Sequence, residues 1–228
     1  MVTRSIATKL ALSLAAVATI SGSPASAAQI DHVILGIDDL DRGVKAFEAA
    51  TGVKPVYGGK HPGGTHNALV SLGDGIYLEI LAIQPDATVQ GEFAGLKEVK
   101  ALTPIGWAVS SEDSAQLRSS LRAAGIAVSE PEDGSRTTPT GSTLSWQSLA
   151  LNESFAEAPF FIVWSEKTAH PSTTSPSGCK LQQWQVASPR AKDLHQLRQA
   201  FDLRVEVAEA KAPAMRLELT CPKGAVSF

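Results

Sequence analysis

A strand followed by a helix recurs three times along this 228-residue chain, and this repetition restricts the fold more than any other feature of the sequence. In the first copy an apolar run at 33–37 precedes Leu40, Val44 and Phe47, which share one face of a helix. The three helical patterns end at Gly52, Gly125 and Asp202. Such regular spacing predicts repeated supersecondary units that close into one assembly.

Short strands separated by turn residues follow each predicted helix. In the first unit the apolar segments 67–72 and 76–83 flank Gly73-Asp74-Gly75, a turn typical of a hairpin. Comparable strand pairs are predicted in the other two units, at 142–151 and 159–164 and at 214–220 and 225–228. Each unit therefore resembles β-α-β-β-β, and the three cover residues 30–84, 102–166 and 179–228.

Three segments carry a resemblance to a known family: 31–52 (DHVILGIDDLDRGVKAFEAATG), 61–81 (HPGGTHNALVSLGDGIYLEIL) and 159–164 (PFFIVW), followed by His170-Pro171. They resemble the glyoxalase-like branch of the vicinal oxygen chelate superfamily. The resemblance implies an α+β fold in which βαβββ modules with mixed sheets pair around a partly closed, barrel-like cleft. It also implies a small-molecule substrate or ligand and often a divalent metal, and it is compatible with a homodimer. The reaction stays open, because lyases, isomerases, dioxygenases and drug-binding proteins share this fold.

Side-chain alternation along two strands identifies residues that would face the cleft. Val33 and Leu35 are best placed under the helix, so His32 points the opposite way. The last strand of the same unit directs Tyr77 and Glu79 to the cleft. Imidazole and carboxylate together suit Fe, Mn, Zn, Ni or Co, and the resemblance places metal ligands at these two kinds of position. Without a metal, His32 and Glu79 would form a hydrogen-bonded pair that lines a polar cleft.

A third metal ligand is predicted from the other units. Aligning their first strands with that of the first unit puts Gly106 and Gln183 opposite His32. Gly106 has no side chain to offer, whereas the Gln183 side-chain oxygen can bind a metal together with His32 and Glu79. The last strands of the second and third units contain no carboxylate, so the metal would keep water or substrate in open positions.

Further residues are predicted to contact the substrate. Tyr77 and Trp164 belong to strands that line the cleft, and His66 and Asn67 lie where a Gly-rich loop enters a strand. His61, in the same loop, is interpreted as part of a glycine-rich approach to a hairpin. The loop lacks the Gly-Lys-Ser/Thr ending of a phosphate-binding loop, and no nucleotide cofactor is expected.

The connection 165–178 is rich in Ser, Thr and Pro, which predicts an exposed loop or a lid over the cleft. His170 lies in this connection. It is interpreted as a solvated residue that gains a role only if the connection acts as a lid.

The N-terminal residues 1–27 have the organisation of an export signal: Arg4 and Lys9, an apolar run at 10–20, and the cleavage pattern Ala25-Ser26-Ala27. The apolar run is shorter than the ~20 residues that cross a bilayer, so no stable membrane anchor is expected. The domain over residues 28–228 is therefore predicted to be secreted or periplasmic. A formal net charge of −3 without a long basic run argues against binding to nucleic acid.

The chain contains two cysteines, at the edges of two strands of the third unit. Cys179 begins the first of these strands and Cys221 precedes the last. If the strands are neighbours, as the family arrangement would allow, the sulfurs meet in a disulfide that suits an exported domain. If they are not neighbours, the cysteines are two independent buried thiols.

These observations predict an exported glyoxalase-like enzyme that acts on a small oxygenated substrate. His32 and Glu79 would be its catalytic residues, in a metal-assisted reaction of the lyase, isomerase or dioxygenase type. Glu79 would act as a base if it does not bind metal. The alternative is a binding or sequestering protein that uses the same cleft without chemistry.

Overall fold

The computed structural model describes residues 28–89 and 91–228, and the predicted export signal, residues 1–27, lies outside them. Within this part the chain forms three successive βαβββ units. The first contains β1 (Gln29–Gly36), α1 (Leu40–Thr51), β2 (Val56–Lys60), β3 (Thr65–Gly73) and β4 (Ile76–Ile83). The α+β class predicted from the sequence is confirmed.

The second unit follows a 3-10 helix (Gly91–Glu98). It contains β5 (Thr103–Ser110), α2 (Ser114–Ala123), β6 (Glu132–Thr137), β7 (Thr143–Leu149) and β8 (Phe160–Trp164). A short helix α3 (Pro171–Thr174) leads to the third unit. That unit contains β9 (Lys180–Ser188), α4 (Ala191–Phe201), β10 (Glu206–Glu209), β11 (Ala214–Cys221) and β12 (Gly224–Ser227). None of the helices in the described part of the chain is long and apolar enough to cross a membrane.

Local sequence explains where α1 begins and ends. The Asp39 side chain accepts a hydrogen bond of 2.8 Å from the backbone N–H of Arg42, which satisfies one of the free donors of the first turn. Gly52 ends the helix in the left-handed conformation, with φ of 80°. Phe47 on the inner face of α1 is fully buried, and burying a side chain of that size stabilises the fold by roughly 1.5–3 kcal/mol.

The first two units close one eight-stranded barrel in the order β1-β4-β3-β2-β6-β7-β8-β5. β1 lies between β4, to which it is parallel, and β5, to which it is antiparallel. On the opposite side β2 and β6 meet at the register pair Lys60–Thr137. The expected partly closed cleft is thus a closed barrel, because the polar strand β6 completes the ring.

The third unit forms a separate four-stranded sheet in the order β10-β9-β11-β12. Here the first strand pairs in parallel with the second strand of the unit, whereas in the first unit it pairs with the fourth. The sheet packs on the outside of the barrel. The ring of Trp184 on β9 lies 6.4 Å from that of Trp107 on β5, and Phe228 stacks on Phe47 of α1. Among the residues that the structure describes, the strands that enclose the barrel interior all come from the first two units.

Cys179 and Cys221 form a disulfide in the third unit. β9 and β11 are antiparallel neighbours, and their register pairs Lys180 with Thr220. This pairing places the two cysteines side by side.

The connection 165–178, called the strap below, packs against the barrel and is only partly exposed. The backbone N–H of Ser71 on β3 donates a hydrogen bond of 2.8 Å to the Pro176 carbonyl. Pro171, at the start of α3, is buried. The strap is thereby held over strands β3 and β4, where His170 can reach the barrel.

Candidate active site

The barrel encloses a cavity of about 390 Å³ that receives side chains from both of its units. Alternation along β1 and β4 directs His32, Tyr77 and Glu79 into this cavity, while Val33 and Leu78 face the core outside. The second unit contributes aromatic walls, including Trp146 on β7 and Trp164 on β8. The candidate site therefore has polar groups mainly on one side and aromatic rings on the other.

His32 is held by the residue that precedes it. The register of β1 against β5 shifts between Ile30 and His32, and this irregularity lets the neighbouring side chains of Asp31 and His32 meet. His32 Nδ1 lies 2.7 Å from Asp31 Oδ1, and both residues are buried. Because a carboxylate can only accept, His32 carries a proton on Nδ1 and presents Nε2 to the cavity.

The second oxygen of Asp31 binds two more rings. Asp31 Oδ2 accepts a 3.0 Å hydrogen bond from Trp164 Nε1 and lies 3.0 Å from His170 Nε2. Burial raises the pKa of Asp31, but the hydrogen bonds from His170 and His32 outweigh it and hold the pKa at about 2. Asp31 is therefore an ionised hub that joins β1, β8 and the strap.

Glu79 lies at the centre of the polar side of the cavity. Its Oε1 accepts a 2.7 Å hydrogen bond from Asn67 Nδ2 and lies 3.9 Å from His61 Nε2. Its Oε2 lies 3.6 Å from His32 Nε2. The other ring nitrogen of His61, Nδ1, lies 2.8 Å from the Thr65 hydroxyl oxygen. Two imidazoles thus direct Nε2 at one buried carboxylate.

Burial governs the charge of three other cavity residues. It lowers the pKa of His61, which keeps that ring neutral at pH 7 although Glu79 favours its protonation. It raises the pKa of Tyr77 well above its ordinary value, so the phenol stays protonated. It also lowers the pKa of the Arg136 guanidinium, whose charge the Glu79 carboxylate favours. The site therefore combines a carboxylate, a neutral imidazole and one guanidinium in a low-dielectric space.

Of the residues predicted to contact substrate, three line the cavity. They are Tyr77, Asn67 and Trp164. Tyr77 stacks on His32, with ring centroids 4.5 Å apart. His66 is placed outside the cavity lining, because Thr65 and Asn67 point inward and His66 between them points to the outer face of β3. Its contact with substrate stays a prediction.

Gln183 is also placed away from His32 and Glu79. It lies on β9 of the outer sheet, where its amide donates to Glu206. The alignment that put it opposite His32 assumed that the third unit joins the cleft, and the sheet order of that unit prevents it. The metal-ligand set of His32, Glu79 and Gln183 is therefore not assembled.

The remaining donors do not fit a metal centre. Across residues 28–89 and 91–228, no group of three or more His, Cys, Asp or Glu side chains is arranged to hold a metal ion. The inward residues of β8, which correspond to Glu79 on β4, are Phe160, Ile162 and Trp164 and supply no carboxylate. Strand β8 thus adds an apolar wall where a metal shared between the two units would need ligands.

Four residues of the site are not marked by the sequence pattern. Asp31 joins His32 only through a strand irregularity, and the Gly-rich surroundings of His61 are typical of a turn. Arg136 and Trp146 lie on β6 and β7. The segment of β6, EDGSRT, has no apolar alternation to mark it as a strand, although the following strand of the same hairpin has.

Comparison with known proteins agrees with this fold. A family model described as Glyoxalase-like domain matches residues 30–201. A hypothetical protein from Staphylococcus aureus superposes with a TM-score of 0.63 at 19% identity, covering 82% of this chain and 88% of that chain. Methylmalonyl-CoA epimerase from Streptomyces coelicolor, in complex with 2-nitronate-propionyl-CoA, gives a TM-score of 0.43 at 18% identity, covering 61% of this chain and 96% of that chain. No curated protein matches the chain. The chain belongs to the glyoxalase-like domain family.

Proposed function

We propose that this protein is an enzyme that transfers a proton on a small organic molecule bound in the barrel cavity, as isomerases and lyases do. One observation carries the proposal: Glu79 is a carboxylate only 7% exposed, aimed into the cavity and faced by the Nε2 atoms of His32 and His61. A buried carboxylate beside imidazole is suited to general acid–base catalysis.

In the proposed reaction Glu79 takes a proton from a C–H bond of the substrate. The electron pair of that bond moves onto an adjacent carbonyl oxygen, which becomes an enolate, and Glu79 becomes a neutral acid. Asp31 keeps the Nδ1 proton of His32 in place, so Nε2 is the ring nitrogen that faces this oxygen. In the proposed reaction His32 also carries a proton on Nε2, and this Nε2–H donates a hydrogen bond to the enolate oxygen. Return of the proton to carbon gives an isomer, and loss of a leaving group from the enolate gives a lyase product.

The proposal does not pass through a metal. A metal-assisted reaction, which the family resemblance implied, would rest on His32 and Glu79, because no group of three or more His, Cys, Asp or Glu side chains among the described residues is arranged to hold a metal ion. Proton transfer by Glu79 needs only the carboxylate and the two imidazoles that already face it, those of His32 and His61. A non-catalytic binding protein is the second candidate, and the observation that favours it is the aromatic wall of Trp146, Trp164 and Phe160.

Hydrogen–deuterium exchange tests the catalytic proposal. Purified protein in D₂O is incubated with 2-oxo acids and 2-hydroxy ketones, and loss of C–H signals is followed by proton NMR. We expect wild type to exchange at least one probe and Glu79→Gln to slow that exchange by about 10²–10⁴-fold. His66→Gln, on the outer face of β3, is the matched control. Equal rates for wild type and Glu79→Gln would overturn the proposal.

We also propose that the protein acts outside the cytoplasm. The support is the signal-like composition of residues 1–27 together with the Cys179–Cys221 disulfide, since disulfides persist in oxidising compartments. Cell fractionation and N-terminal sequencing test this, with Ala28 as the expected first residue. The predicted homodimer stays a prediction, and the barrel itself is completed within one chain.

A further inference from the structure

Arg136 is a buried cation that the proposed proton transfer does not use. It lies on β6, is 5% exposed and lines the same cavity as Glu79. Within the described residues its hydrogen bond is to a neutral group, from Nη1 to the backbone carbonyl of Gly58, and its attraction to Glu79 acts over a longer distance. A guanidinium has five N–H donors in a fixed fork, so most of its capacity is left for another partner.

The structure makes room for this guanidinium. A Cβ atom at Gly58 would lie 2.7 Å from Arg136 Nη1 and 2.3 Å from Asn67 Oδ1, which is closer than side chains tolerate. Glycine at this point of β2 therefore leaves space next to the backbone for Arg136 Nη1 and Asn67 Oδ1. A buried charge without an ion-pair partner is costly in a protein, and a bound anion removes that cost.

From this arrangement we infer that Arg136 binds a carboxylate of the substrate, so that the substrate is an organic acid with an apolar body. The inference rests on the proposed function, because it names the substrate class of the same cavity. The planar fork of Arg136 matches the two oxygens of a carboxylate. Glu79 in the same cavity disfavours a dianion such as a phosphate monoester.

A second cavity supplies the space for the apolar body. It has a volume of about 670 Å³ and shares the walls Ile34, Phe93, Trp146 and Phe160 with the first. Its other lining is largely apolar, and its charged residue among those described, Glu132, is exposed. With the carboxylate at Arg136, the rest of the molecule passes Trp146 and enters this space. The two cavities together are larger than a three-carbon substrate needs.

Two probes of the same size and apolar body, one a carboxylate and one a neutral amide, test the inference. The pair is 3-phenylpropanoate and 3-phenylpropanamide, titrated by calorimetry and by the fluorescence of the cavity tryptophans. We expect wild type to bind the carboxylate at least tenfold more tightly than the amide. Arg136→Gln should lose this preference, a loss of about 10–100-fold in affinity for the carboxylate. The exposed Arg204→Gln is the control and should keep it.

One further variant keeps the inference testable if Arg136→Gln fails to fold. Arg136→Lys retains the charge without the fork, and we expect it to prefer the carboxylate but to bind it several-fold more weakly than wild type. It serves where Arg136→Gln does not fold, as judged by circular dichroism. Equal affinity of wild type for both probes, binding of neither probe, or a preference that survives in Arg136→Gln would overturn the inference.

Glu79→Gln separates this inference from the proposed function. It should still prefer the carboxylate probe, because Arg136 is intact, while it loses proton exchange. A Glu79→Gln protein with unchanged exchange and an intact preference would overturn the proposed function and leave the carboxylate site standing. Lost preference in Arg136→Gln combined with Glu79-dependent exchange supports both.

Discussion

Asp31 and His32 are adjacent in sequence, and their side chains are in contact: Asp31 Oδ1 lies 2.7 Å from His32 Nδ1. Both side chains are buried. Adjacent residues of a regular strand point to opposite faces, so this contact depends on the irregularity of β1 between Ile30 and His32. It fixes the ring whose Nε2–H, in the proposed reaction, donates a hydrogen bond to the enolate oxygen.

Asp31 should make the stability of the fold depend on pH in the acid range. Its pKa is about 2 in the folded protein against 3.8 in its unperturbed state. A lowered pKa contributes stability above about pH 4, and this contribution is lost as the pH falls toward 2. The difference corresponds to about 2 kcal/mol. We expect urea unfolding to show Asp31→Asn less stable than wild type at pH 7, with the gap closing between pH 4 and pH 2.

The exposed Asp86→Asn controls for a general effect of removing a carboxylate, and it should follow wild type across the range. A gap between wild type and Asp31→Asn that is the same at pH 7 and pH 2.5 would show that Asp31 is not the ionised hub described above.

Two histidines of one hairpin should differ in importance. His61 lines the cavity with Nε2 at 3.9 Å from Glu79, whereas His66 lies on the outer face of β3. We expect His61→Ala to slow Glu79-dependent proton exchange by about tenfold or more, because the carboxylate loses a neighbouring polar group. His66→Ala should change the rate less than about twofold. The opposite ranking would place substrate at the rim of the cavity, next to His66, as the sequence alone predicts.

How far the sequence predicts this site depends on how regular its strands are. His32, Tyr77 and Glu79 could be placed in the cavity because β1 and β4 are apolar strands whose alternation is easy to follow. Arg136 could not, because the polar segment EDGSRT becomes a strand only through pairing with β7 and β2. Gln183 was misplaced for a different reason. The three units have the same order of elements along the chain but not the same order of strands in the sheet. Pairing between strands that are distant in sequence cannot be predicted from a local sequence pattern.

Gly134 should control the shape of the cavity through Trp146. A Cβ atom at Gly134 would lie 2.3 Å from Trp146 Nε1, so the indole must move when alanine is introduced. Trp146 also packs against Trp164 and His61, and its displacement would disturb both. We expect Gly134→Ala to lose about 1–3 kcal/mol of unfolding free energy. Its tryptophan emission should shift, and affinity for 3-phenylpropanoate should fall.

Gly95→Ala is the matched control, because a Cβ atom there meets nothing within 4 Å. It should leave emission and affinity as in wild type. If both variants behave alike, Trp146 does not rest on Gly134 as the structure describes.

The disulfide should stabilise the outer sheet and, through it, the barrel. Cys179 and Cys221 close a loop with a sequence separation of 42, and cross-linking such a loop contributes about 2–4 kcal/mol. The outer sheet packs on the barrel through Trp184 and Trp107. A less stable outer sheet should therefore lower the stability of the whole domain. We expect Cys179→Ser with Cys221→Ser to lower Tm by about 5–15 °C. Calorimetry of wild type after complete reduction, verified by mass, should give the same decrease. Further reductant should have no effect on the double variant. A reduced wild type that melts at the temperature of the oxidised protein would mean that β9 and β11 are held together by their ladder and packing alone.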